Sequence, residues 1–340
     1  MSRIVPLLGS VMLLYLTSCM DSTPSTVLPD RTGLTAPVAV PGNSVSVDMP
    51  GNSVSMDMVA MREVSSTIGE QTLDRMNRRL RATRSHLSIA KAELLVKPGF
   101  ETQGRTIYAS DRVRKLGSRW VPDDTRRQAD GDKLSYMIVD SGCEFLGIPA
   151  ERVKSAIGGA LANWQSAMRC GDLALEERPD RGEDPTIADY YLGLGGFGRS
   201  YQADIVNAGF ETGDMFEQLA PNGRLFILGV TFTFIFMDED GRATDLDENG
   251  LFDTACAEVY LNREFWWSPD GSGGYDIETV AMHENGHALG LGHFGDVFRN
   301  RNGDVHASPR AVMNGVYLGP MASPQRTDRS AFCGLYANWP

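Results

Sequence analysis

The alternation of apolar and polar residues predicts a series of short strands and helices after residue 130. Four strands are predicted, at 133–139, 172–177, 203–210 and 257–267. A β-branched, aromatic run at 224–236 predicts a further strand or a hairpin. Apolar residues three and four apart predict helices at 150–168, 278–292 and 327–338. This order favours an α/β or α+β domain with a mixed sheet.

The N-terminus has the pattern of an export signal over residues 1–18. Arg3 precedes a mostly apolar run at 4–16, which spans about 20 Å as a helix and is too short for a hydrocarbon core of about 30 Å. The run ends in "LTSC", which resembles the bacterial lipobox and implies lipidation at Cys19. We therefore expect export and lipid anchoring to the bacterial cell envelope, at the outer membrane where there are two. An ordinary secretory signal with an incidental cysteine is the alternative.

Composition separates a tether from an N-terminal region. Residues 19–60 are rich in Ser, Pro and Gly and contain a near-repeat, which predicts a flexible tether. Residues 61–130 follow as a helical and irregular region and a candidate prosegment. An apolar stripe predicts helix over 61–96, formed by Leu73, Met76, Leu80, Leu87 and Leu94. A domain boundary is expected near 125–130.

Charge and cysteine content narrow the class of protein. The net charge of -12 argues against a nucleic-acid partner, because phosphate binding requires a basic face. Without Cys19, an even number of cysteines remains for an oxidising compartment, so two disulfides are plausible, in any of three connectivities. These cysteines are Cys143, Cys170, Cys256 and Cys333.

The segment "HENGHALGLGH", residues 283–293, holds three of the chain's five histidines. His283 and His287 are four apart on a predicted helix, so both imidazoles rise from one face and suit adjacent corners of a zinc tetrahedron. Gly290 stands where the chain must turn to bring His293 back as a third ligand. Three nitrogen ligands leave one position open, which is typical of a catalytic site. Surface histidines on an ordinary helix are the alternative.

The segment matches the metzincin signature HExxHxxGxxH, and its surroundings most resemble the matrixin branch. The resemblance implies an α+β metzincin-type catalytic domain at 131–340, with a twisted mixed sheet, a backing helix, an active-site helix and a C-terminal helix. It also implies that His283, His287 and His293 bind catalytic zinc and that Glu284 is the general base. Met313, in "AVMNGVY", would be the methionine of the turn beneath the metal.

At several positions this chain differs from the residues that the family carries. Phe294 follows the third histidine where matrixins have serine, and Gly315 replaces the tyrosine that other metzincins carry. No cysteine lies between 20 and 142, so a cysteine switch is absent. By the same resemblance, "GVTFTFIF" at 229–236 would be an edge strand that holds an extended substrate by backbone hydrogen bonds.

A second metal is predicted at "DLDENGLFD", residues 245–253. Asp245, Asp247 and Asn249 alternate before Gly250, and Asp253 follows, as in the first half of a calcium loop. The closing glutamate of an EF-hand is missing, so Glu258 or a carbonyl would complete a structural calcium site. A solvated acidic turn is the alternative.

These features predict a zinc-dependent endopeptidase that hydrolyses extracellular proteins or peptides. Two alternatives share its fold: a non-catalytic surface-binding lipoprotein, and a zinc hydrolase of cell-wall peptide or glycan. Retention of Glu284 together with all three ligands favours catalysis.

Overall fold

The structure, a computed structural model, describes residues 57–139, 147–182, 184–198 and 201–339. All of them belong to one unit, Ser53–Pro340. The predicted signal peptide, Cys19 and nearly all of the tether lie outside the described residues, so the lipid anchor stays a prediction. Among the helices that are described, none combines the length and apolar character needed to cross a bilayer.

Helices and strands alternate along the described chain. The helices are α1 (Asp57–Ala82), α2 (Asp111–Leu116), α3 (Ala150–Ala167), α4 (Ala188–Leu192), α5 (Gly213–Leu219), α6 (Ile277–Ala288) and α7 (Arg326–Tyr336). The strands are β1 (Leu87–Val96), β2 (Thr106–Tyr108), β3 (Ser118–Arg119), β4 (Lys133–Ile138), β5 (Ala174–Arg178), β6 (Ile205–Glu211), β7 (Ile227–Phe236), β8 (Phe252–Asn262), β9 (Trp267–Ser268), β10 (Tyr275–Asp276), β11 (Asp296–Arg299) and β12 (Val305–Ser308).

One mixed sheet organises these elements, in the order β2-β1-β7-β8-β6-β4-β5, with β3 beside β8. Pairing is parallel from β8 through β6 and β4 to β5 and antiparallel from β8 through β7 and β1 to β2. The expected α+β class with a mixed sheet is therefore confirmed. The run at 224–236 forms a single strand rather than a hairpin.

Helices cover both faces of the sheet. On one face α3, α6 and α7 contribute to a hydrophobic cluster that includes Trp164, Met282 and Phe332. On the other face α1, α4 and α5 contribute to a second cluster that includes Leu73 and Phe216. Because both faces are covered, every residue of β7 and β8 is buried. The sequence of β7 is correspondingly rich in apolar residues, and its two threonines, Thr231 and Thr233, are buried as well.

The predicted helix over 61–96 is wrong in its second half. Helix α1 ends at Ala82, Arg84 has a positive φ of 54°, and residues 87–96 form strand β1. Leu87 and Leu94 are seven apart, a spacing that fits a helical stripe as well as a strand with both faces covered. Strand β1 lies in the same sheet as β4–β8, so the region 61–130 shares its sheet with the residues after 131.

One disulfide is present among the described residues. It joins Cys170, just after α3, to Cys333 in α7 across a sequence separation of 163 residues. Cys256 is a buried free thiol on β8. Cys143 lies outside the described residues, so the expectation of a second disulfide is not met by the cysteines that the structure describes.

Candidate metal centre and its surroundings

Helix α6 is buried, which argues against the alternative that its histidines are surface residues of an ordinary helix. The Asp276 side chain caps its first turn by accepting from the Thr279 amide at 2.9 Å. From Thr279 to Ala288 each residue is buried, including His283, Glu284 and His287. Imidazoles held away from water in this way need partners for their nitrogens.

A glycine turn ends α6 and returns the chain toward its own histidines. Gly290 has a φ of 89°, and its amide donates to the His287 carbonyl at 2.8 Å. The Leu291 amide donates to the Gly286 carbonyl at 3.0 Å, as in a glycine-terminated helix. The helix therefore ends at Ala288, four residues earlier than predicted, and the turn carries His293 back.

The three imidazoles meet at their Nε2 atoms. Nε2 of His287 lies 3.0 Å from Nε2 of both His283 and His293, and the remaining Nε2 pair is 3.1 Å apart. Three nitrogens bound tetrahedrally to zinc at about 2.0–2.1 Å would be separated by roughly 3.3 Å. The spacing of the donor atoms therefore fits a tetrahedral ion with one position left for another ligand.

The partners of the second ring nitrogens show that the three histidines can hold a cation. Nδ1 of His283 lies 2.6 Å from the Val312 carbonyl, and Nδ1 of His287 lies 2.7 Å from the Leu291 carbonyl. A neutral imidazole that donates from Nδ1 presents a lone pair at Nε2. Lone pairs facing each other at 3.0 Å repel unless a positive ion lies between them.

Burial keeps these imidazoles neutral. It lowers the pKa of His283 to about 4, although the contact with the Val312 carbonyl opposes the shift. Burial lowers the pKa of His287 and of His293 well below the usual value, and the neighbouring imidazoles lower both further. Neutral imidazole is the form that binds a metal ion.

Glu284 directly follows the first histidine, His283, and its side chain points toward strand β7. Its Oε2 accepts from the Thr231 hydroxyl on β7 at 2.7 Å. Burial raises the pKa of Glu284 and the charge of Glu93 raises it further, whereas the Thr231 hydroxyl and the Leu95 amide lower it. A carboxyl group with a raised pKa, beside a candidate metal centre, is suited to accept and return a proton.

Two residues that support Glu284 are absent from the sequence prediction. The edge-strand interpretation gives a role only to the backbone of Thr231, whereas its side chain orients the carboxylate. Gly229 leaves the space that this carboxylate occupies, because a Cβ there would lie 2.7 Å from Glu284 Oε1. The glycine in "ILGVTF" was the available signal, since an isolated strand glycine often marks a close approach.

The turn that contains Met313 packs directly against α6. Met313 is fully buried, and a Cβ on Gly286 would lie 2.3 Å from its sulfur, so the glycine permits the contact. The carboxylate of Asp328, on α7, accepts from the amides of Val312 and Met313 at 2.9 and 3.1 Å. Because the Val312 carbonyl orients His283, this turn fixes the tautomer of one histidine.

Gly315 and Phe294, which depart from the metzincin pattern, lie next to His293, whereas the nearby Tyr317 contacts the start of α6. A Cβ on Gly315 would lie 3.0 Å from the Gly104 carbonyl oxygen and 3.3 Å from His293 Nδ1, so a side chain there would press on both. The Tyr317 hydroxyl accepts from the Asp276 amide at 3.1 Å, at the start of α6. Phe294 is partly buried against the cluster around α6.

The predicted calcium residues gather only in part. Carboxylate oxygens of Asp245, Asp247 and Asp253 lie within 4.8 Å of one another. Asp247 is paired with Arg119 at 2.9 Å, and Asp253 with Arg126 at 2.6 Å. Asn249 turns its amide nitrogen rather than its oxygen to Asp247, and its oxygen accepts from Leu251. Glu258 is buried elsewhere and accepts from the Ile187 and Ala188 amides.

Strand β1 brings residues to the histidines that the sequence did not predict. The side chain of Glu93 is almost fully buried, with Oε1 3.3 Å from His287 Nδ1, and Lys91 pairs with its other oxygen at 2.7 Å. The expectation that β7 is an edge strand is wrong, since β1 and β8 pair with its two sides. Strand β1, whose pairing makes β7 an interior strand, lies more than 130 residues earlier in the chain.

A sequence model of the matrixin family matches residues 196–298, a segment that runs from before β6 through the three histidines to β11. The chain contains a matrixin-like catalytic domain. Over 91 residues it is 33% identical to matrix metalloproteinase-25 of Homo sapiens, a match that covers 24% of this chain and 14% of that relative. The chain thus matches only a small part of the relative's length.

The matrixin-like domain supports a zinc metallopeptidase function in general. The matrixin family is zinc-dependent, and the three histidines at and after the end of α6 form a group that can hold a metal ion. The donor set is chemically suited to zinc, since three neutral imidazoles without thiolates are typical of zinc with an open coordination position.

Proposed function

We propose that this chain is a zinc-dependent endopeptidase that hydrolyses peptide bonds of extracellular proteins. The observation that carries the proposal is the convergence of three Nε2 atoms within 3.1 Å of one another. Glu284 directly follows the first of these histidines, and its carboxylate is held by Thr231. His283, His287 and His293 would hold the ion, which would supply Lewis acidity toward water and the scissile carbonyl.

In this proposal Glu284 moves the protons of the reaction. Its carboxylate accepts a proton from the attacking water as the water oxygen bonds to the carbonyl carbon. It then passes that proton to the amine nitrogen as the C–N bond breaks, so that the products are an acid and an amine. Thr231 holds one carboxylate oxygen throughout, which limits the positions that the other can take.

Metal removal tests the proposal on the purified full chain. Treatment with a chelator should abolish cleavage of a peptide library, and one equivalent of zinc should restore it. Because Glu93 of β1 lies against His287, the assay should be repeated with Leu95→Ala, which removes a buried side chain of β1 and should loosen this strand. A strand that blocks access to the histidines is then not mistaken for a missing activity. Cleavage that survives complete zinc removal would contradict the proposal. Hydrolysis of cell-wall peptides alone would favour the alternative of a cell-wall hydrolase. Zinc binding without any hydrolysis would favour the alternative of a non-catalytic surface-binding lipoprotein.

Calcium binding at Asp245, Asp247, Asn249 and Asp253 stays a separate proposal. Calcium would have to compete with Arg119 for Asp247, so we expect weak affinity, of the order of 10⁻⁴–10⁻³ M as in extracellular modules. At about 10 mM calcium the melting temperature of the zinc-loaded chain should rise by roughly 2–4 °C. Asp247→Asn should remove that rise, and a wild-type melting temperature indifferent to calcium would count against the site.

A further inference from the structure

The edge of β7 opposite β8 is already paired with a strand of the same chain. Strand β1 runs antiparallel to β7 from the pair Leu87–Phe236 to the pair Val96–Ile227. A free strand edge binds an extended peptide through its unpaired amides and carbonyls. Because β1 supplies these partners, a second peptide cannot pair with the same side of β7.

The C-terminal end of β1 is held on its other side as well. The Val96 amide donates to the Gly315 carbonyl at 3.3 Å, and the Tyr317 amide donates to the Val96 carbonyl at 2.9 Å. This contact is parallel, whereas pairing with β7 is antiparallel. Residue Val96 therefore lies in a slot between β7 and the segment 315–317, which directly follows the turn of Met313.

The side chains of β1 fill the space beside the metal centre. Glu93 lies against His287, and Leu95, only 2% exposed, belongs to the hydrophobic cluster that contains Val312 and Tyr317. Leu95 pairs with Gly229, the glycine whose missing Cβ makes room for Glu284. A peptide that reached Glu284 from the side of β7 would thus meet Leu95 first.

We propose that β1 is a built-in occupant of the peptide-binding slot and keeps the site closed until it is displaced. The inference rests on the proposed function, because it assigns β1 to the position that a substrate peptide would take. The slot selects an extended segment with an aliphatic side chain at the position of Leu95. No cysteine takes part, since the occupancy depends on strand pairing and on the burial of one leucine.

Peptide binding tests the proposal without requiring catalysis. The probe is a labelled synthetic peptide with the sequence of β1, LSIAKAELLV. Every protein in the test is the zinc-loaded full chain with Glu284→Ala, so that the peptide is bound without being cleaved. Adding Leu95→Ala should strengthen peptide binding at least tenfold and speed hydrogen exchange of residues 227–236. Leu134→Ala is the matched control, because Leu134 is a fully buried leucine of the same cluster on β4, away from β1. Equal binding by the Leu95 and Leu134 variants would overturn the proposal.

A disulfide lock gives a second test that survives poor folding of the leucine variant. Leu94 and Val230 are directly paired in the β1–β7 register, and both belong to the cluster on the opposite face from Leu95. In a Leu94→Cys, Val230→Cys protein, the oxidised form should bind the peptide at least tenfold more weakly than the reduced form. The Glu284→Ala parent with the same reductant controls for effects on Cys170–Cys333.

The two tests distinguish this proposal from the proposed function. Oxidised and reduced locks that bind the peptide equally well would show that β1 need not move, and would overturn the inference. Leu95→Ala could increase peptide binding in a protein that hydrolyses no substrate when Glu284 is present. That result would support the role of β1 in the peptide-binding slot and contradict only the proposed peptidase function.

Discussion

Glu284→Ala is expected to lower peptide cleavage by at least about 10²-fold while leaving zinc bound and the fold intact. Glu284 directly follows the first histidine of the metal centre, and in the proposed mechanism it accepts the proton of the attacking water. The other carboxylate beside the histidines, Glu93, is paired with Lys91 at 2.7 Å. Its carboxyl group is fully buried with a raised pKa, so its removal takes away a desolvated acid and should not destabilise the fold. The measurement is kcat/KM for a cleaved library peptide, made both in the unmodified chain and in the Leu95→Ala background, with zinc content and melting temperature on the same samples.

Glu278→Ala is the matched control for this variant. Glu278 is a carboxylate of the same helix, but it is partly exposed and bonds to Asn163 at 2.7 Å. Its replacement should leave kcat/KM within a few-fold of the parent. If the Glu284 variant cleaved as fast as the parent, another group would have to be the base, and the role assigned to Glu284 would be wrong.

His287→Ala is expected to remove both zinc and activity. His287 lies within 3.0 Å of both other Nε2 atoms, so its loss leaves two nitrogens instead of three. Loss of a supporting partner alone costs roughly 10–100-fold in metal affinity, and loss of a direct ligand should cost more. The variant should also lose the stabilisation by bound zinc, about 4 kcal/mol when the free ion is 1,000-fold above its dissociation constant.

His306→Ala is the control for the loss of an imidazole. His306 is an exposed histidine of β12 that contacts Asn300, away from the three histidines of the metal centre. Zinc titration and thermal unfolding of both variants should show an effect only at His287. Equal zinc affinity in the two variants would remove His287 from the ligand set.

The convergence of the three histidines could be predicted from the sequence because its geometry is local. His283 and His287 are one helical turn apart, and the positive φ of Gly290 turns the chain so that His293, six residues after His287, comes back to within 3.0 Å of it. Short-range spacing therefore determined which side chains meet. The groups that tune them, such as Thr231 and the Val312 carbonyl, come from other elements and had no local signal.

The substrate side of the site could not be predicted, because it depends on a long-range strand pairing. The apolar run of β7 fits an edge strand or an interior strand equally well, and only the position of β1 decides between them. Residues 87–96 in turn carry leucines at a helical spacing, so the segment was assigned to the preceding helix. The same limit applies to the acidic loop, where Arg119 and Arg126 approach from distant parts of the chain.

X-ray absorption at the zinc edge of the zinc-loaded full chain tests the metal centre most directly. We expect one zinc per chain with three histidine nitrogens and one further light ligand, at about 2.0–2.1 Å, and one imidazole fewer in His287→Ala. Folded protein that retains no stoichiometric zinc, or zinc surrounded by sulfur, would contradict this expectation.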